Sequence, residues 1–151
     1  RSISAQLLRH RSFSFQEFSQ RYSDVEELGF PTPPELRLQD PENRQNSIEA
    51  PTLMNREQLE TVIRSNYIST YDLYRNMLSA GIAKECAREV LPMGSPTRLY
   101  MNGTLRSWIH YVALRAGNGT QKEHREIALG VKDLIKQEFP NVYEASAYYM
   151  A

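Results

Sequence analysis

The sequence predicts an α+β fold that is mostly helical with a small amount of sheet. Between residues 55 and 138, apolar side chains recur at three- and four-residue steps, which is the period of amphipathic helices. Residues 11–23 and 96–102 lack that period and indicate extended chain. A chain of 151 residues, 40% hydrophobic and 24% charged, is long enough for a real core, so we expect a single domain over residues 1–151.

The N-terminal third is predicted to hold little regular structure. Residues 3–8 fit a short helix that ends near Arg9, and extended chain and loop follow over residues 11–23. Prolines between positions 31 and 34 interrupt regular elements, because proline lacks a backbone donor and restricts the residue before it. The polar stretch from Arg37 to Ala50 has little to bury and is expected to be a surface loop.

The first long helix is predicted to begin at Asn55, a candidate N-cap, and to stop at Gly81. Apolar residues recur along it at three- and four-residue steps, beginning with Leu59 and Val62. The tyrosine stripe of Tyr67, Tyr71 and Tyr74 is expected to be core and helix-packing surface rather than a cofactor site. A shorter helix over residues 83–90 follows and ends before Pro92. It carries Cys86, which we expect to be a small buried side chain.

Two antiparallel helices joined by a short glycine-containing turn are predicted between residues 105 and 138. The first spans Leu105 to Arg115, with Arg106 and His110 four residues apart on one face. It follows a strand or extended connector over residues 96–102.

The second of these helices is predicted to begin with a capping box, because Thr120 is followed three residues later by Glu123. His124 lies in the first turn of that helix and is expected to be solvated. A last short helix carrying Tyr148 and Tyr149 is predicted to finish the chain.

Charge and composition exclude several classes of function. A formal net charge of zero argues against a general binder of nucleic acid or membrane surfaces. No apolar run approaches the roughly 20 residues that a membrane-spanning helix needs. The single cysteine excludes an intrachain disulfide, so a reducing compartment, the cytoplasm, is expected. The histidines, the cysteine and Glu123 show no metal-ligand spacing, and no glycine-rich phosphate loop is present.

The arginines carry the clearest chemical signal. The chain has 14 Arg and four Lys, a bias that favours two-pronged recognition of anions, although an Arg-rich genome would produce the same bias. Arg9-His10-Arg11 is followed, after seven residues, by Ser19-Gln20-Arg21-Tyr22-Ser23. Three phenylalanines between or beside these groups would anchor the segment against a core: Phe13, Phe15 and Phe18. The simpler interpretation is a solvated basic helix end followed by a loop.

The spacing of this segment resembles the signature of the flavin-dependent thymidylate synthases. Three later segments resemble further parts of that family in the same order: Arg88-Glu89-Val90-Leu91-Pro92, Thr104-Leu105-Arg106-Ser107 with His110, and Leu114-Arg115-Ala116. The agreement covers about residues 3 to 140.

The resemblance implies the substrates dUMP and methylene-tetrahydrofolate, the cofactor FAD and reduction of that flavin by NADPH. It implies a homotetramer whose sites are shared between subunits. The positions that it assigns to dUMP are Gln6, Leu7, Leu8, Arg9, Glu17, Phe18, Ser19, Gln20, Arg21, Arg88 and Arg115. Those that it assigns to FAD are Arg9, His10, Arg11, Glu17, Thr104, Leu105, Arg106 and His110.

The resemblance implies that Arg115 contacts the uracil ring and makes it the expected catalytic residue. Its guanidinium would stabilise negative charge on the ring as N3 loses its proton. Ser19 is a weaker candidate for chemistry. A nucleophilic serine needs an adjacent base oriented by a third group, and no such pair lies near Ser19 in the sequence. Binding of phosphate or ribose is therefore its preferred role. Tyr22 suits stacking on a base and packing in a core equally well.

The sequence departs from the family pattern at three places. Thr104 and His110 stand where members often have Asn, and Gly119 stands where many have a flavin-side His. Members also carry a substantial N-terminal portion before the basic triplet, so we expect the natural chain to extend further. The alternative functions are a non-catalytic helical module that binds nucleic acid or an acidic partner through its Arg-rich segment, and an inactive relative that retains the fold.

Overall fold

A computed structural model describes residues 1–150 and confirms a mostly helical α+β fold. The α-helices of these residues are α1 (Ser2–Leu7), α2 (Arg56–Ser79), α3 (Lys84–Ala87), α4 (Leu105–Arg115), α5 (Lys122–Glu138) and α6 (Pro140–Ser146). The strands are β1 (Ser14–Glu17), β2 (Leu38–Gln39), β3 (Ser47–Ile48) and β4 (Leu99–Asn102), and 3-10 turns lie at Val25–Leu28 and Arg88–Val90. In this part of the chain, no helix is both long and apolar enough to span a bilayer.

The strands form two small sheets. β1 pairs with β4, and β2 pairs with β3 in antiparallel register, with Leu38 opposite Ile48. The expectation of a simple loop over residues 37–50 was therefore wrong, because this stretch is a hairpin. Asp40 organises its turn, where the carboxylate accepts hydrogen bonds from Glu42 N at 2.8 Å and Asn43 N at 3.1 Å. These bonds lower the pKa of Asp40.

The chain divides into two compact units. The first unit comprises residues 1–5, 15–36 and 51–100, and the second comprises residues 6–14, 37–50 and 101 onward. The single-domain organisation expected from the sequence stays a prediction.

Tyrosines of α2 form the core of the first unit. Tyr71 and Tyr74 are buried together with Val25 and Ala87, as the sequence predicted for these two tyrosines. Leu59 and Val62, on the N-terminal half of the same helix, are 46% and 65% exposed, so the apolar period of α2 continues beyond the part that is buried. Cys86 is also exposed rather than buried, because the short α3 turns its neighbour Ala87 inward instead.

The termini of α2 follow the local sequence in part. Asn55 is the N-cap residue, but its backbone is left-handed (φ 60°) and its side chain makes no capping bond. At the other end, Gly81 has φ 82°. Gly81 N donates to Leu78 O and Ile82 N donates to Met77 O, which is the Schellman arrangement that a left-handed residue permits.

The second unit is built on α4 and α5, which pack against each other across the predicted glycine turn. α4 spans Leu105–Arg115 as predicted, and Thr104 Oγ1 caps it by accepting from Ser107 N at 3.2 Å. α5 also packs on α6. The core side chains here are Tyr111, Val112, Ala128, Ile135 and Met150.

Three predictions about α5 and α6 were wrong. The N-cap of α5 is Gln121, whose side chain makes no capping bond to the helix backbone. Thr120 belongs to the preceding turn, where its N–H donates to Gly117 O. His124 is fully buried rather than solvated. The last helix ends at Ser146, so Tyr148 and Tyr149 follow it instead of lying on it.

Two glycine substitutions test these backbone assignments. Gly81→Ala should lower the free energy of unfolding by roughly 1 kcal/mol, because a Cβ is strained at positive φ. Gly130→Ala is the matched control. Gly130 lies inside α5 with nothing within 4 Å of an added Cβ, so alanine should raise the free energy by up to roughly 1 kcal/mol. Urea titrations of both variants measure the difference, and stabilisation by Gly81→Ala would contradict the left-handed conformation of Gly81.

Candidate functional site

A cationic cleft lies on the first unit. Its volume is about 320 Å³, and Arg1, Gln20, Arg88, Glu89, Leu91, Pro92 and Met93 line it. Arg88 reaches it from the junction of α3 with the following 3-10 turn, and Gln20 from the turn after β1. Gln20 is 8% exposed, so its amide is held in place by its surroundings.

The donors of this cleft are incompletely satisfied. The Nε atoms of Arg1 and Arg88 are both buried without a hydrogen-bond partner in the described chain. The Glu89 carboxylate approaches Arg88 Nε to 3.5 Å, without the geometry of a hydrogen bond. Buried donors are normally bonded, so these N–H groups suit a ligand that brings acceptor oxygens.

The other predicted nucleotide residues of this unit are placed differently. Glu17 accepts from Arg1 Nη1 at 3.1 Å and from Thr97 Oγ1 at 2.9 Å, so two protein donors already occupy one of its oxygens. Glu17, Phe18 and Ser19 line a second cleft of about 310 Å³ with Gln16, Ser23, Arg98 and Tyr100.

Arg21 and its neighbours lie at the surface. Arg21 pairs with Glu85 at 3.2 Å, and its guanidinium lies 5.6 Å from the centre of the Tyr22 ring. Tyr22 is 76% exposed, so the alternative of a core role for it was wrong. Ser19 Oγ accepts from Arg21 N at 3.4 Å, and no histidine in the described residues contacts it.

Aromatic side chains hold the basic triplet on the second unit. The Phe13 ring lies 4.7 Å from that of Trp108, and the His10 ring lies 5.0 Å from that of Tyr111. His10 is consequently buried, whereas Arg9 and Arg11 on either side of it are exposed. This packing explains why the segment turns one member of the triplet inward.

Arg115 meets His10 at the centre of this unit. Arg115 Nε donates to His10 Nε2 at 3.0 Å, which requires that nitrogen to be unprotonated. Burial lowers the pKa of His10, and the charges of Arg115 and His110 lower it further. Among the described residues, Arg115 has no carboxylate partner, so its positive charge is available to an anionic group.

A hydrogen-bonded chain of two side-chain amides ends at His124, near Arg115 and His10. Gln6 Nε2 donates to Gln121 Oε1 at 2.7 Å, and Gln6 Oε1 lies 3.1 Å from His124 Nδ1. Burial, then the charges of Arg115 and His10, lowers the pKa of His124 to about 4. Gln121 and His124 lie outside the motifs, so neither was predicted to belong to the site. Helical spacing was the available signal, since His124 precedes the buried Ala128 by four residues.

The positions assigned to FAD are of two kinds. Arg9, Arg11 and Arg106 are exposed and form no ion pair within residues 1–150, so their guanidinium donors fit a pyrophosphate. Thr104 and His110 already have protein partners, because Thr104 caps α4 and His110 Nδ1 lies 3.0 Å from the Tyr149 hydroxyl. The residues present therefore fit a flavin dinucleotide through its phosphates.

The predicted residues fall in both units. The first unit holds Glu17, Phe18, Ser19, Gln20, Arg21 and Arg88, and the second holds Gln6, Leu7, Leu8, Arg9, His10, Arg11, Thr104, Leu105, Arg106, His110 and Arg115. Leu7 is buried and Leu8 is 43% exposed. Over the described residues, no group of three or more His, Cys, Asp or Glu side chains is arranged to hold a metal ion.

The fold and these arginine-bearing clusters define an α+β protein whose sites suit anionic ligands. Residues 1–141 match the sequence profile of the family described as "Thymidylate synthase complementing protein". The chain belongs to that family, which confirms the resemblance inferred from the motifs.

Named relatives carry the flavin-dependent description. The chain is 48% identical over 145 residues to the "Probable flavin-dependent thymidylate synthase" of Paramecium bursaria Chlorella virus 1, with 96% of this chain and 66% of that protein covered. It is 47% identical over 145 residues to the flavin-dependent thymidylate synthase of Synechocystis sp. (strain ATCC 27184 / PCC 6803 / Kazusa), with the same coverage. The chain thus spans about two-thirds of the length of these relatives.

A solved structure agrees with the fold. The UMP/dUMP methylase PolB from Streptomyces cacaoi, bound with 5-Br UMP, superposes with a TM-score of 0.84 at 26% identity. The superposition covers 98% of this chain and 69% of that chain.

The buried imidazole of His124 predicts a pH dependence of stability. Its pKa is about 4 when folded and 6.5 in the reference state, so the unfolded chain binds more protons between these values. The free energy of unfolding should therefore fall as the pH decreases from 6.5 toward 4. Asn at position 124 does not titrate. When the pH falls from 7 to 4.5, the free energy of unfolding of the wild type should decrease by roughly 2 kcal/mol more than that of His124→Asn. Equal losses in urea titrations would contradict a neutral buried imidazole.

Proposed function

We propose that this chain carries the nucleotide and flavin sites of a flavin-dependent thymidylate synthase. In the proposed reaction, the hydrogen on C5 of dUMP is replaced by a methyl group. Methylene-tetrahydrofolate gives the carbon, NADPH the hydride and solvent one proton, so that dTMP, tetrahydrofolate and NADP⁺ are formed. The observation that carries the proposal is the Arg115 guanidinium, which a neutral imidazole orients and no carboxylate of residues 1–150 neutralises.

Arg115 is proposed to act on the uracil ring. His10 occupies its Nε–H and thereby fixes the plane of the guanidinium, which leaves the terminal NH₂ groups to face a ligand. Held at a carbonyl and N3 of uracil, these groups would stabilise the charge that develops as N3 loses its proton. The ring then becomes more nucleophilic at C5. A fixed cation in a partly buried place stabilises such charge without reorganisation.

The cleft of the first unit is proposed to bind the phosphate of the nucleotide. Its support is a pair of buried Nε–H groups, on Arg1 and Arg88, that have no hydrogen-bond partner in the part of the chain that the structure describes. They lie beside the buried side chain of Gln20. Ser19 and Arg21 belong to the same proposal as donors to the phosphate or sugar. A catalytic hydroxyl at Ser19 has no support, since the described residues supply no base for it.

FAD is proposed to be held through Arg9, Arg11 and Arg106, whose charges would meet its pyrophosphate. His10, Glu17, Thr104, Leu105 and His110 are the remaining proposed contacts. When bound, the flavin supplies the hydride-transfer chemistry that amino-acid side chains lack.

We also propose a homotetramer with shared sites, located in the cytoplasm. Apolar side chains on α2 support association between copies, because Leu59, Val62, Ile68 and Leu73 are each 46% or more exposed. A free, exposed Cys86 as the only cysteine suits a reducing compartment. Family membership disfavours the alternative of a non-catalytic module.

Arg88 tests the phosphate cleft. Arg88→Ala should weaken dUMP binding roughly 10- to 100-fold in isothermal titration calorimetry, because one charge-assisted interaction with phosphate is lost. Binding of deoxyuridine, which lacks the phosphate, should not change. Arg64→Ala is the matched control, since Arg64 is an exposed arginine of α2 outside the cleft. Equal weakening of dUMP and deoxyuridine would contradict the phosphate assignment.

Arg115 tests the proposed chemistry. Arg115→Lys keeps the positive charge but loses the planar donor pair, so the rate of dTMP formation at saturating dUMP should fall roughly 10²- to 10³-fold. Mass spectrometry of the product, with FAD, NADPH and methylene-tetrahydrofolate supplied, measures that rate. Arg44→Lys, at an exposed arginine of the second unit, should leave it unchanged. An unchanged rate in Arg115→Lys would overturn the role given to Arg115.

A further inference from the structure

A chain of hydrogen bonds in the second unit runs in one fixed direction. It begins at an ion pair, where Arg37 Nη2 donates to Glu123 Oε1 at 2.7 Å. The other Glu123 oxygen accepts from Gln121 Nε2 at 2.9 Å. A carboxylate beside an arginine only accepts hydrogen bonds, so it determines which end of the Gln121 amide faces it.

The orientation of the Gln121 amide, set by Glu123, in turn determines the orientation of the Gln6 amide. Because the Gln121 NH₂ faces Glu123, its carbonyl oxygen faces Gln6 and accepts from Gln6 Nε2 at 2.7 Å. The Gln6 carbonyl oxygen then faces His124 Nδ1 at 3.1 Å. An amide oxygen cannot donate, so His124 Nδ1 must carry the proton of this last bond.

This tautomer explains why the other ring nitrogen of His124, Nε2, can be buried without a hydrogen-bond acceptor. His124 Nε2 is buried and has no hydrogen-bond partner in the described chain. In the Nδ1–H tautomer, Nε2 bears a lone pair and no proton. The groups that face the His124 ring are Arg115, His10 and Tyr111, and the Tyr111 ring centre lies 5.7 Å away. None of them favours protonation of Nε2, which would make His124 a cation beside Arg115.

We propose that His124 is a positioning residue: with Gln121, it clamps the Gln6 carboxamide in one orientation for the nucleotide. Gln6 keeps one N–H and one oxygen lone pair beyond the two bonds of the clamp, and these are the groups that it can offer to a ligand. A free glutamine would present either end and lose rotamer entropy on binding. The link to the nucleotide rests on the proposed function, whereas the clamp itself does not.

The clamp is tested without any ligand. The chain has three histidines, so long-range ¹H–¹⁵N spectra of the imidazoles are simple to assign. At pH 7, His124 should show a protonated Nδ1 and an unprotonated Nε2, and it should stay so on titration to pH 5.5. A protonated Nε2, alone or in an imidazolium, would overturn the proposal.

The effect on the nucleotide is tested by dUMP affinity in a double-mutant cycle. His124→Leu and Gln121→Leu should each weaken binding at least 5-fold. His124→Asn should stay within 2-fold of the wild type, because its amide nitrogen can take the place of Nδ1. In a Gln6→Leu background, His124→Leu should have no further effect. Gln137→Leu, an exposed glutamine of α5, is the matched control and should bind as the wild type does.

The outcomes separate the clamp from the proposed function. Two results would overturn the positioning role. One is that His124→Leu weakens dUMP binding equally in the wild-type and Gln6→Leu backgrounds. The other is that His124→Asn binds dUMP no more tightly than His124→Leu. Gln121 is only half-buried, so Gln121→Leu decides the matter if His124→Leu fails to fold. If the wild type binds no dUMP while the imidazole spectra show the expected tautomer, the proposed function fails and the clamp stands.

Discussion

The bond from Arg115 to His10 is the interaction on which the second unit depends. An arginine of this burial would ordinarily pair with a carboxylate, which would cancel its charge. Here an unprotonated imidazole orients the guanidinium at 3.0 Å and leaves the charge in place. The aromatic wall of Phe13, Trp108 and Tyr111 keeps His10 dry, and burial is the largest cause of its lowered pKa. A protonated His10 would repel Arg115, so the packing of α4 preserves the cationic site.

The ion pairs sort the arginines into two groups. Arg37, Arg56 and Arg75 each pair with a carboxylate, and these pairs connect segments that are distant in sequence or support a helix. Arg9, Arg11 and Arg106 have no such partner within residues 1–150 and lie on the unit that contains Arg115. An Arg-rich genome would enrich both groups alike. Pairing alone does not identify the ligand sites, however, because Arg21 and Arg88 of the motifs pair with Glu85 and Glu89, whereas Arg44 and Arg64 outside the motifs have no ion pair within residues 1–150.

Local signals in the sequence predicted much of the fold. Gly81 marked a helix end because it acts through its own backbone neighbours as a left-handed residue, and the apolar period of Leu105–Arg115 marked α4. The hairpin at 37–50 was not predicted because hydrogen bonds to Asp40 organise it, and such bonds leave no apolar period in the sequence. The burial of His124 was not predicted because histidine is a polar residue type, although its position on the helix places it on the buried face. Exposure of Leu59 and Val62 could not be foreseen, since periodicity marks an apolar face without saying what covers it.

The proposed function requires that one protein bind both a flavin, through Arg9, Arg11 and Arg106, and dUMP, through Arg88 and Arg115. The most direct measurement is the visible absorbance spectrum of the purified chain after addition of FAD, followed by titration with dUMP. The account predicts a bound flavin whose absorption bands shift on addition of dUMP and do not shift with deoxyuridine at equal concentration. Bound flavin with an unchanged spectrum at saturating dUMP, or no flavin bound at all, would contradict it.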